Sequence, residues 1–397
     1  MKPDSILPDK TKPARILIVC RYHFSRFAGG SEFQSWMLSK ELSDRGWDVH
    51  YASEMNHVPV PPVLEGVTLH GLPEDPRYPE GNRKPLRELM QELQPDVVVA
   101  KVYNLYVRDA MLEAPEDAVK IWWLAAELDG RLGKFLWQSL KTQGILRFVK
   151  VLPKNLMLRW GAAQGRRKAD IVLQQYAGQT KGIRSGRSQL AVMHNSHPPV
   201  PSSEIQIHDG RPQILWVATL KRGKRPELFW KLAERCSDLD VKFIMAGRTQ
   251  RPYQDAQIKQ LESTIANFTW VGQLSREEAA RQYSAAHLFV CTSMSEGFSN
   301  TFIEAWMHGV PVLSTGVDPG GYLREQGLGF CVDSLDQLEA AVRDLIKNQE
   351  KRKAIGEKAR MVANNDFNLG KNADIFESIV TERGVRMPER SGDERKG

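Results

Sequence analysis

The chain has 397 residues and a formal net charge of +7, and 41% of its residues are hydrophobic. This length is enough for two domains of about 150–200 residues, each with an ordinary core. The four scattered cysteines argue against a disulfide framework or a zinc site, and the absence of a signal-peptide core or of a run near 18 apolar residues predicts a soluble or membrane-surface protein.

The first predicted element is an apolar strand over 15–20, followed by a loop that ends in Gly29 and Gly30. An unbroken apolar run is typical of a parallel strand that is covered on both faces. A helix is predicted from about Ser31 to Arg45. Two glycines at this turn would allow a ligand to approach a helix N-terminus, although a plain turn is the alternative. The pattern is not GxGxxG, so it does not predict NAD binding.

Strands and helices keep alternating through the first half of the chain. Strands are predicted over 67–72, 96–100 and 119–124, with a helix over 84–93. In doubly wound sheets, ligands bind beyond the carboxyl ends of the strands. The side chains expected at that edge are Lys101, Tyr103, Asn104, Glu127 and Asp129.

The segment 131–169 contains ten Lys or Arg residues and no Asp or Glu. Trp and Leu are interleaved with these cations, as in an interfacial helix on an anionic membrane, where each cation contributes roughly 1 kcal/mol. A cleft-lining insertion with a solvated basic face is one alternative, and binding of RNA or another polyanion is another. Because no nucleic-acid motif is present, we expect an anionic membrane surface as the partner and no nucleic acid.

The domain boundary is predicted near the proline-rich run 197–203, which follows strands predicted over 169–173 and 189–195. His194 and His197 flank Asn195 without acidic companions, so we do not expect them to bind a metal. The boundary gives a first domain over 1–204 and a second over 205–368. The remainder, 369–397, is predicted to be a helix and a polar tail.

The second domain is predicted to begin with a strand over 213–218 and a basic loop that precedes a helix. Cations at such a turn, at the carboxyl edge of a sheet, suit a diphosphate, and a solvated charge cluster is the alternative. Strands predicted over 241–246 and 268–271 end in Gly247-Arg248 and in Gly272. The cations of the loop are Lys221, Arg222, Lys224 and Arg225.

The stretch 293–321 predicts a loop, a helix from about 300 to Gly309, a further strand and a final loop. Glu296 in the first loop and Glu304 in the helix enclose a helix N-terminus, where free amides attract an anion. Amides for a diphosphate and carboxylates for sugar hydroxyls predict a nucleotide site. A capping box from Thr301 to Glu304 is the purely structural alternative. The amides expected to be free are those of Phe298, Ser299 and Asn300.

These residues resemble the donor-site signature of retaining GT-B glycosyltransferases of the family 4 type (glycosyl transferases group 1). The match consists of Glu296-Gly297-Phe298, Glu304-Ala305 and Gly309-Val-Pro-Val. The resemblance implies an α/β fold of two doubly wound Rossmann-like domains that face each other across a cleft. It also implies that Glu296 lies near the transferred sugar and that Glu304 binds the ribose.

The resemblance extends to other parts of the chain. Gly29, Gly30, Ser31 and Glu32 match in order a family loop near the donor phosphates and the acceptor. The loops at Gly247-Arg248 and Gly272 are implied to surround the base. The last helix is implied to cross back to the first domain.

The chain departs from the family in two places. Many relatives carry a histidine after the strand predicted over 119–124, where this chain has Ala126 and Glu127. Glu127 or Asp129 would orient the acceptor or sugar hydroxyls, unless they belong to a solvent loop. Ala218-Thr219 replaces the family's Gly-Arg. Lys224 matches the family's lysine, and Arg222 would supply the missing guanidinium.

The predicted function is a retaining, hexosyl-type glycosyltransferase that uses a nucleotide-sugar donor. The expected acceptor is a lipid-linked saccharide of bacterial envelope or exopolysaccharide biosynthesis, which would place the protein in the cytoplasm at the inner face of the membrane. We identify no acidic metal motif such as Asp-x-Asp in the chain, and we expect neither a metal nor another cofactor. The alternatives are an epimerase or a phosphorylase on the same fold, or a decayed nucleotide-sugar-binding protein.

The predicted site residues fall into two groups. The catalytic candidates are Glu296, Glu127 and Asp129. The donor-binding candidates are Gly29, Gly30, Arg222, Lys224, Gly247, Arg248, Glu296, Gly297, Phe298, Ser299, Asn300 and Glu304.

Overall fold

The computed structural model describes residues 13–388, apart from 25–28, 56–60, 75–79, 102–104, 126–135, 137–139, 141–144, 182–186, 206–209 and 251. Within these ranges the chain forms two α/β units, each built on a largely parallel sheet. This confirms the fold predicted from the alternation of strands and helices.

The first sheet has eight strands in the order β3-β4-β2-β1-β5-β6-β7-β8, and only the β3–β4 pair is antiparallel. The strands are β1 (Arg15–Tyr22), β2 (Asp48–Glu54), β3 (Val63–Leu64), β4 (Val67–Leu72), β5 (Val97–Lys101), β6 (Val119–Trp123), β7 (Ile171–Gln174) and β8 (Gln189–Val192). The described helices of this unit are α1 (Gly30–Asp44), α2 (Arg83–Leu93), α3 (Leu105–Glu113) and α4 (Ile145–Arg166).

The second sheet is entirely parallel, in the order β11-β10-β9-β12-β13-β14. Its strands are β9 (Gln213–Val217), β10 (Lys242–Ala246), β11 (Phe268–Gly272), β12 (Leu288–Cys291), β13 (Val312–Thr315) and β14 (Gly329–Val332). The helices are α5 (Pro226–Arg235), α6 (Pro252–Thr264), α7 (Arg276–Ala285), α8 (Asn300–Met307), α9 (Leu335–Lys347), α10 (Gln349–Asp366) and α11 (Leu369–Thr381).

The strand order of the second sheet is that of a Rossmann fold, and it reverses between β9 and β12. The first sheet has the same kind of reversal between β1 and β5. Ligands of doubly wound sheets bind at such switch points, outside the carboxyl ends of the strands. The topology therefore directs attention to the segments that follow β1, β5, β9 and β12.

Helix α11 packs on the first sheet although it comes last in the chain. Its Phe376 and Val380 are fully buried in the same core as Ile18 of β1. Polar contacts support this packing, because Glu377 accepts hydrogen bonds from Arg45 at 2.7 Å and from the indole of Trp47 at 3.0 Å.

Helix α3 was not among the predicted elements, because 101–106 read as a loop at the end of a strand. All of its residues from Leu105 to Met111 are buried, including the ion-paired Arg108 and Asp109. A helix covered on every side lacks the alternation of apolar and polar faces from which a surface helix is recognised.

Candidate functional site

The loops that follow β9 and β12 meet at the switch point of the second sheet. The backbone N–H of Met294 donates to the carbonyl of Gly223 at 2.9 Å. The hydroxyl of Thr292 donates to the carbonyl of Lys224 at 2.6 Å and accepts a hydrogen bond from the buried indole of Trp216. These bonds fix the basic loop against the loop that carries Glu296.

Arg225 joins two strand ends. Its backbone has a φ of 46°, a left-handed conformation directly before Pro226, the first residue of α5. Its guanidinium donates to the carbonyls of Thr292 at 2.6 Å and Thr315 at 2.9 Å, which end β12 and β13. Sequence reasoning counted Arg225 only as one cation of the loop. In the structure, Arg225 instead fixes the ends of β12 and β13 to the start of α5.

Lys224 and Glu296 form an ion pair across the two loops. Their side chains are only 22% and 15% exposed, so the pair is largely shielded from solvent. The structure thus brings together the cation predicted for the diphosphate and the carboxylate predicted for the sugar. Arg222 lies in the same turn, and its side chain is exposed.

Helix α8 begins at Asn300, with Ser299 at the N-cap and no side-chain cap. Thr301 is therefore inside the helix, and the capping box that we considered as an alternative does not form. The expectation that the amide of Phe298 is free is wrong in this conformation, because it donates to the side-chain oxygen of Gln175 at 3.0 Å. The Phe298 ring is also buried, next to Phe367.

Glu304 lies in the second turn of α8, between the two domains. Burial raises the pKa of this carboxyl to about 7 from an ordinary value of 4.5, although Tyr283 and Arg276 favour the charged form. The Arg276 guanidinium lies 3.5 Å from the ring centre of Phe33 in α1. Near neutral pH, a small change in the surroundings of Glu304 is therefore enough to change its charge.

Four side-chain amides connect the N-terminus of α8 to the first domain. Asn195 donates to the carbonyl of Phe298 at 2.9 Å and to the Asn300 side chain at 3.0 Å. Gln34 donates to the same Asn300 oxygen at 3.2 Å, and Gln175 donates to Asn195 at 2.9 Å. The amide groups satisfy one another without any charge, so the network itself does not titrate.

Asn300 also donates to the carbonyl of Gly30 at 3.1 Å. A Cβ at Gly30 would lie 2.8 Å from the Asn300 nitrogen, so this position requires glycine for close approach. Gly29 is the N-cap of α1, with no side-chain cap. The predicted glycine turn therefore faces the predicted donor loop directly.

The loops that the resemblance assigns to the base lie together at the carboxyl edge. Gly247 donates to the carbonyl of Gly272 at 2.6 Å, and Arg248 accepts from the backbone of Leu220 at 2.9 Å. Gly247 has a φ of 140°, and a Cβ there would lie 1.8 Å from the carbonyl oxygen of Ala218. Gly247 thus has a packing reason that is independent of any ligand.

Other residues considered in the sequence analysis either lie outside the described residues or have packing contacts of their own. Glu127 and Asp129, with Tyr103 and Asn104, lie outside the described residues. His194 packs its ring against Phe367, and burial lowers the pKa of His197 to about 3. Among the described residues, no group of three or more His, Cys, Asp or Glu side chains is placed to hold a metal ion.

The prediction that the chain has no Asp-x-Asp motif is wrong, because Asp238-Leu239-Asp240 is one. Asp238 and Asp240 precede β10, at the amino end of the strand and away from the ligand edge. Asp238 pairs with Arg343 and Asp240 with Arg211, each at 2.8 Å. Both carboxylates thus have arginine partners.

Helix α4 covers the best-described part of the basic segment 131–169. Ile145, Val149, Leu156 and Trp160 recur at intervals of four, seven and four residues, which places them on one face, and all four are exposed. The opposite face packs on α3, where a Cβ at Gly165 would lie 2.5 Å from the backbone of Arg108. No helix within the described ranges is both long and apolar enough to cross a membrane.

Comparisons with known proteins agree with this architecture. Residues 202–362 match the family model described as Glycosyl transferases group 1. Among solved structures, sucrose-phosphate synthase from Thermosynechococcus elongatus has a TM-score of 0.69 and 17% identity, covering 93% of this chain and 98% of that chain. HepE from Anabaena, solved with UDP, has a TM-score of 0.70 and 15% identity, covering 93% and 100%. WaaG, a glycosyltransferase of lipopolysaccharide biosynthesis, has a TM-score of 0.68 and 16% identity, covering 92% and 99%.

A curated relative, spore coat protein SA of Bacillus subtilis (strain 168), is 23% identical over 190 residues. The match covers 45% of this chain and about half the length of that relative, 50%. The architecture and the matches define a two-domain protein with the GT-B fold. Within it, the second domain is the part that matches the family model Glycosyl transferases group 1.

Proposed function

We propose that this protein is a glycosyltransferase that moves a sugar from a nucleotide-diphosphate sugar to a saccharide acceptor. The observation that carries the proposal is the meeting of Lys224 and Glu296 at the switch point, beside the N-terminus of α8. HepE, which has the same fold, was solved with UDP and with UDP-glucose, and this supports a donor of that class.

Each residue of the donor site has a proposed task. Glu304, as a carboxylate, accepts hydrogen bonds from the ribose hydroxyls. When the donor binds, the Lys224 ammonium leaves Glu296 and pairs with the diphosphate. Arg222 supplies a second cation to the diphosphate. Glu296 is then free to accept hydrogen bonds from hydroxyls of the donor sugar. The exchange uses groups that are already in place.

In the transfer step, the bond between C1 of the sugar and the phosphate oxygen breaks, and its electron pair leaves with the diphosphate. The oxygen of an acceptor hydroxyl bonds to C1, and its proton passes to the departing phosphate oxygen. A preorganised cation beside the leaving phosphate stabilises the charge that develops there, a large catalytic effect in water-poor sites. We propose that the anomeric configuration is retained and that no metal is needed.

The decisive experiment is calorimetric binding of UDP, GDP and ADP, with and without a chelator. We expect saturable binding of one nucleotide, unaffected by the chelator and weakened at least tenfold by Glu304→Ala, which removes hydrogen bonds to a charged group. Glu357→Ala, at an exposed carboxylate on α10, is the matched control. The absence of binding to folded protein would reject the donor site, and transfer that stops with chelator would reject metal independence.

We also propose that α4 docks on an anionic membrane surface and that the acceptor is lipid-linked. The support is its exposed apolar face, with Lys150 and Lys154 exposed on the same helix. Co-sedimentation with vesicles containing phosphatidylglycerol is expected to fall in a Lys150→Gln/Lys154→Gln/Trp160→Ala variant. Lys353→Gln on α10 is the control. Unchanged vesicle binding would reject this docking face.

A further inference from the structure

A row of buried side chains crosses the carboxyl edge of the first sheet. The strand pairings place Ser53 of β2, Cys20 of β1, Lys101 of β5 and Trp123 of β6 at neighbouring strand ends. Each side chain is at most 1% exposed. The row lies at the reversal between β1 and β5, the topological position where doubly wound sheets bind ligands.

Helix α1 lies over this row. The Cys20 thiol donates to the Ser35 hydroxyl at 3.0 Å, and Ser35 donates to the carbonyl of Ser31 at 3.1 Å. The N-terminal turns of α1, which contain Ser31 and Glu32, therefore lie close to the row. The N-cap of this 15-residue helix, Gly29, has no side-chain cap, and the Glu32 carboxylate lies beside it at the positive dipole end.

The row and the adjoining Ser31 of α1 contain buried hydrogen-bond donors for which the described residues supply no acceptor. No described residue forms a hydrogen bond with the ammonium of Lys101, the hydroxyls of Ser31 and Ser53, or the indole N–H of Trp123. The ammonium instead lies 3.1 Å from the ring centre of Trp123. An unsatisfied buried polar group costs about 1–3 kcal/mol, so four of them together are unusual unless something else accepts their hydrogen bonds.

The charged groups around Lys101 come from two elements. Burial lowers the pKa of Lys101 to about 7, while Glu32 of α1 and Cys20 of β1 act in the opposite direction. Burial raises the pKa of Glu32, against the effect of Lys101 and Arg21. Burial also raises the pKa of Cys20 to about 11 and that of Tyr51 above its ordinary value, so both remain neutral. A bound oxyanion would keep Lys101 protonated.

We propose that Lys101, Ser31 and Ser53 form a subsite for an oxyanion, a carboxylate or a phosphate, carried by the acceptor. The inference rests on the proposed function, since it assigns a substrate class to the first domain of that transferase. The site offers hydrogen-bond donors and a cation, which is the set that an oxyanion requires. Lys101 is fully buried in this conformation. An anion therefore reaches it only when α1, which lies over the row, moves.

The test is calorimetric titration of sodium glucuronate, sodium phosphate and glucose into the full-length protein. Each titration is done with and without the nucleotide that binds best among UDP, GDP and ADP, which separates this subsite from the donor cations. We expect at least one anion to bind and glucose not to bind. Lys101→Met should weaken anion binding at least tenfold, as expected for loss of a charge-assisted hydrogen bond. Lys120→Met, on the neighbouring strand β6, is the control.

Two further measurements keep the proposal falsifiable if Lys101→Met unfolds. Ser53→Ala removes one donor and should weaken anion binding severalfold. Glucuronate should bind wild type at least tenfold more weakly at pH 8.5 than at pH 6, because the amine loses its proton, and this dependence should vanish in Lys101→Met.

The outcomes separate cleanly. Binding of glucuronate alone identifies a carboxylate, and binding of phosphate alone identifies a phosphate. Absence of both, or anion binding that Lys101→Met and Ser53→Ala leave unchanged, overturns the subsite. If a nucleotide binds and the anions do not, the subsite is wrong and the transferase proposal stands. If an anion binds and no nucleotide binds, the anion subsite stands and the transferase proposal is wrong.

Discussion

The side-chain amide of Asn300 donates a hydrogen bond to the backbone carbonyl of Gly30, 3.1 Å away on the opposite side of the cleft. One residue thus joins the first turn of α8 to the first turn of α1. Since both turns are proposed to line the donor site, the geometry of that site depends on the relative position of the two domains.

Replacing Asn300 with alanine should open the cleft. The substitution removes the bonds to Gly30, Gln34 and Asn195, while Gln34 and Asn195 keep their bonds to Ser196 and Phe298. We expect faster hydrogen exchange over 30–36 and nucleotide binding that is weaker by about tenfold, since each lost bond costs about 1 kcal/mol. Exchange measured by mass spectrometry tests this. Asn365→Ala, at an exposed site on α10, should leave both quantities unchanged.

Breaking the Lys224–Glu296 pair from its two sides should give opposite results. Glu296→Gln removes the carboxylate that competes with the diphosphate, so nucleotide binding should tighten by a few fold while transfer falls at least a hundredfold. Lys224→Met should weaken nucleotide binding by about tenfold or more, because a charge-assisted bond to the phosphate is lost. Calorimetry and initial rates measure the two effects. If both variants weaken nucleotide binding equally, the proposed exchange of partners is wrong.

Nucleotide binding should strengthen as pH rises through about 7. The pKa of Glu304 is raised to about 7, and only the carboxylate accepts hydrogen bonds from two ribose hydroxyls. Because the folded-state pKa exceeds the ordinary value of 4.5, the stability from this group is fully present below about pH 4.5 and is lost as pH rises through 7. Glu304→Gln should flatten both profiles. A binding profile that stays steep in this variant would assign the titration to another group.

Gly247→Ala should destabilise the second domain by about 3 kcal/mol, through backbone strain and a clash with the carbonyl of Ala218. Gly210→Ala is the matched control, because no atom of the described residues lies within 4 Å of the added carbon. Urea unfolding measures the difference. Equal stabilities of the two variants would show that β9 and β10 can separate at their ends without cost.

The sequence was sufficient to predict what depends on local pattern. Apolar runs gave the strands, and the alternation of strands with helices gave two doubly wound sheets. The neighbourhood of Lys224 and Glu296 followed from one topological rule, since their strands are adjacent in that fold. Local pattern also led to the capping box at Thr301, which failed because the helix begins before that residue.

Contacts between distant segments could not be predicted in this way. The amide of Phe298 is occupied by Gln175, which lies more than a hundred residues earlier and on the other domain. No periodicity connects such a pair. The same applies to Arg225, whose role depends on the carbonyls of strand ends that only the folded sheet brings within reach.

The position of α11 has a consequence for synthesis on the ribosome. Phe376 and Val380 complete the core of the first domain, yet they are made only after the strands of the second sheet. Domains generally fold as they emerge, N-terminal first. Here the core of the first domain lacks Phe376 and Val380 when the domain leaves the ribosome. Its apolar surface therefore stays exposed until the second domain has been translated. We therefore expect the first half of this protein to depend most on chaperones. A ribosome that stalls after the second sheet would release a chain that lacks α9, α10 and α11, so that both domains would be incomplete.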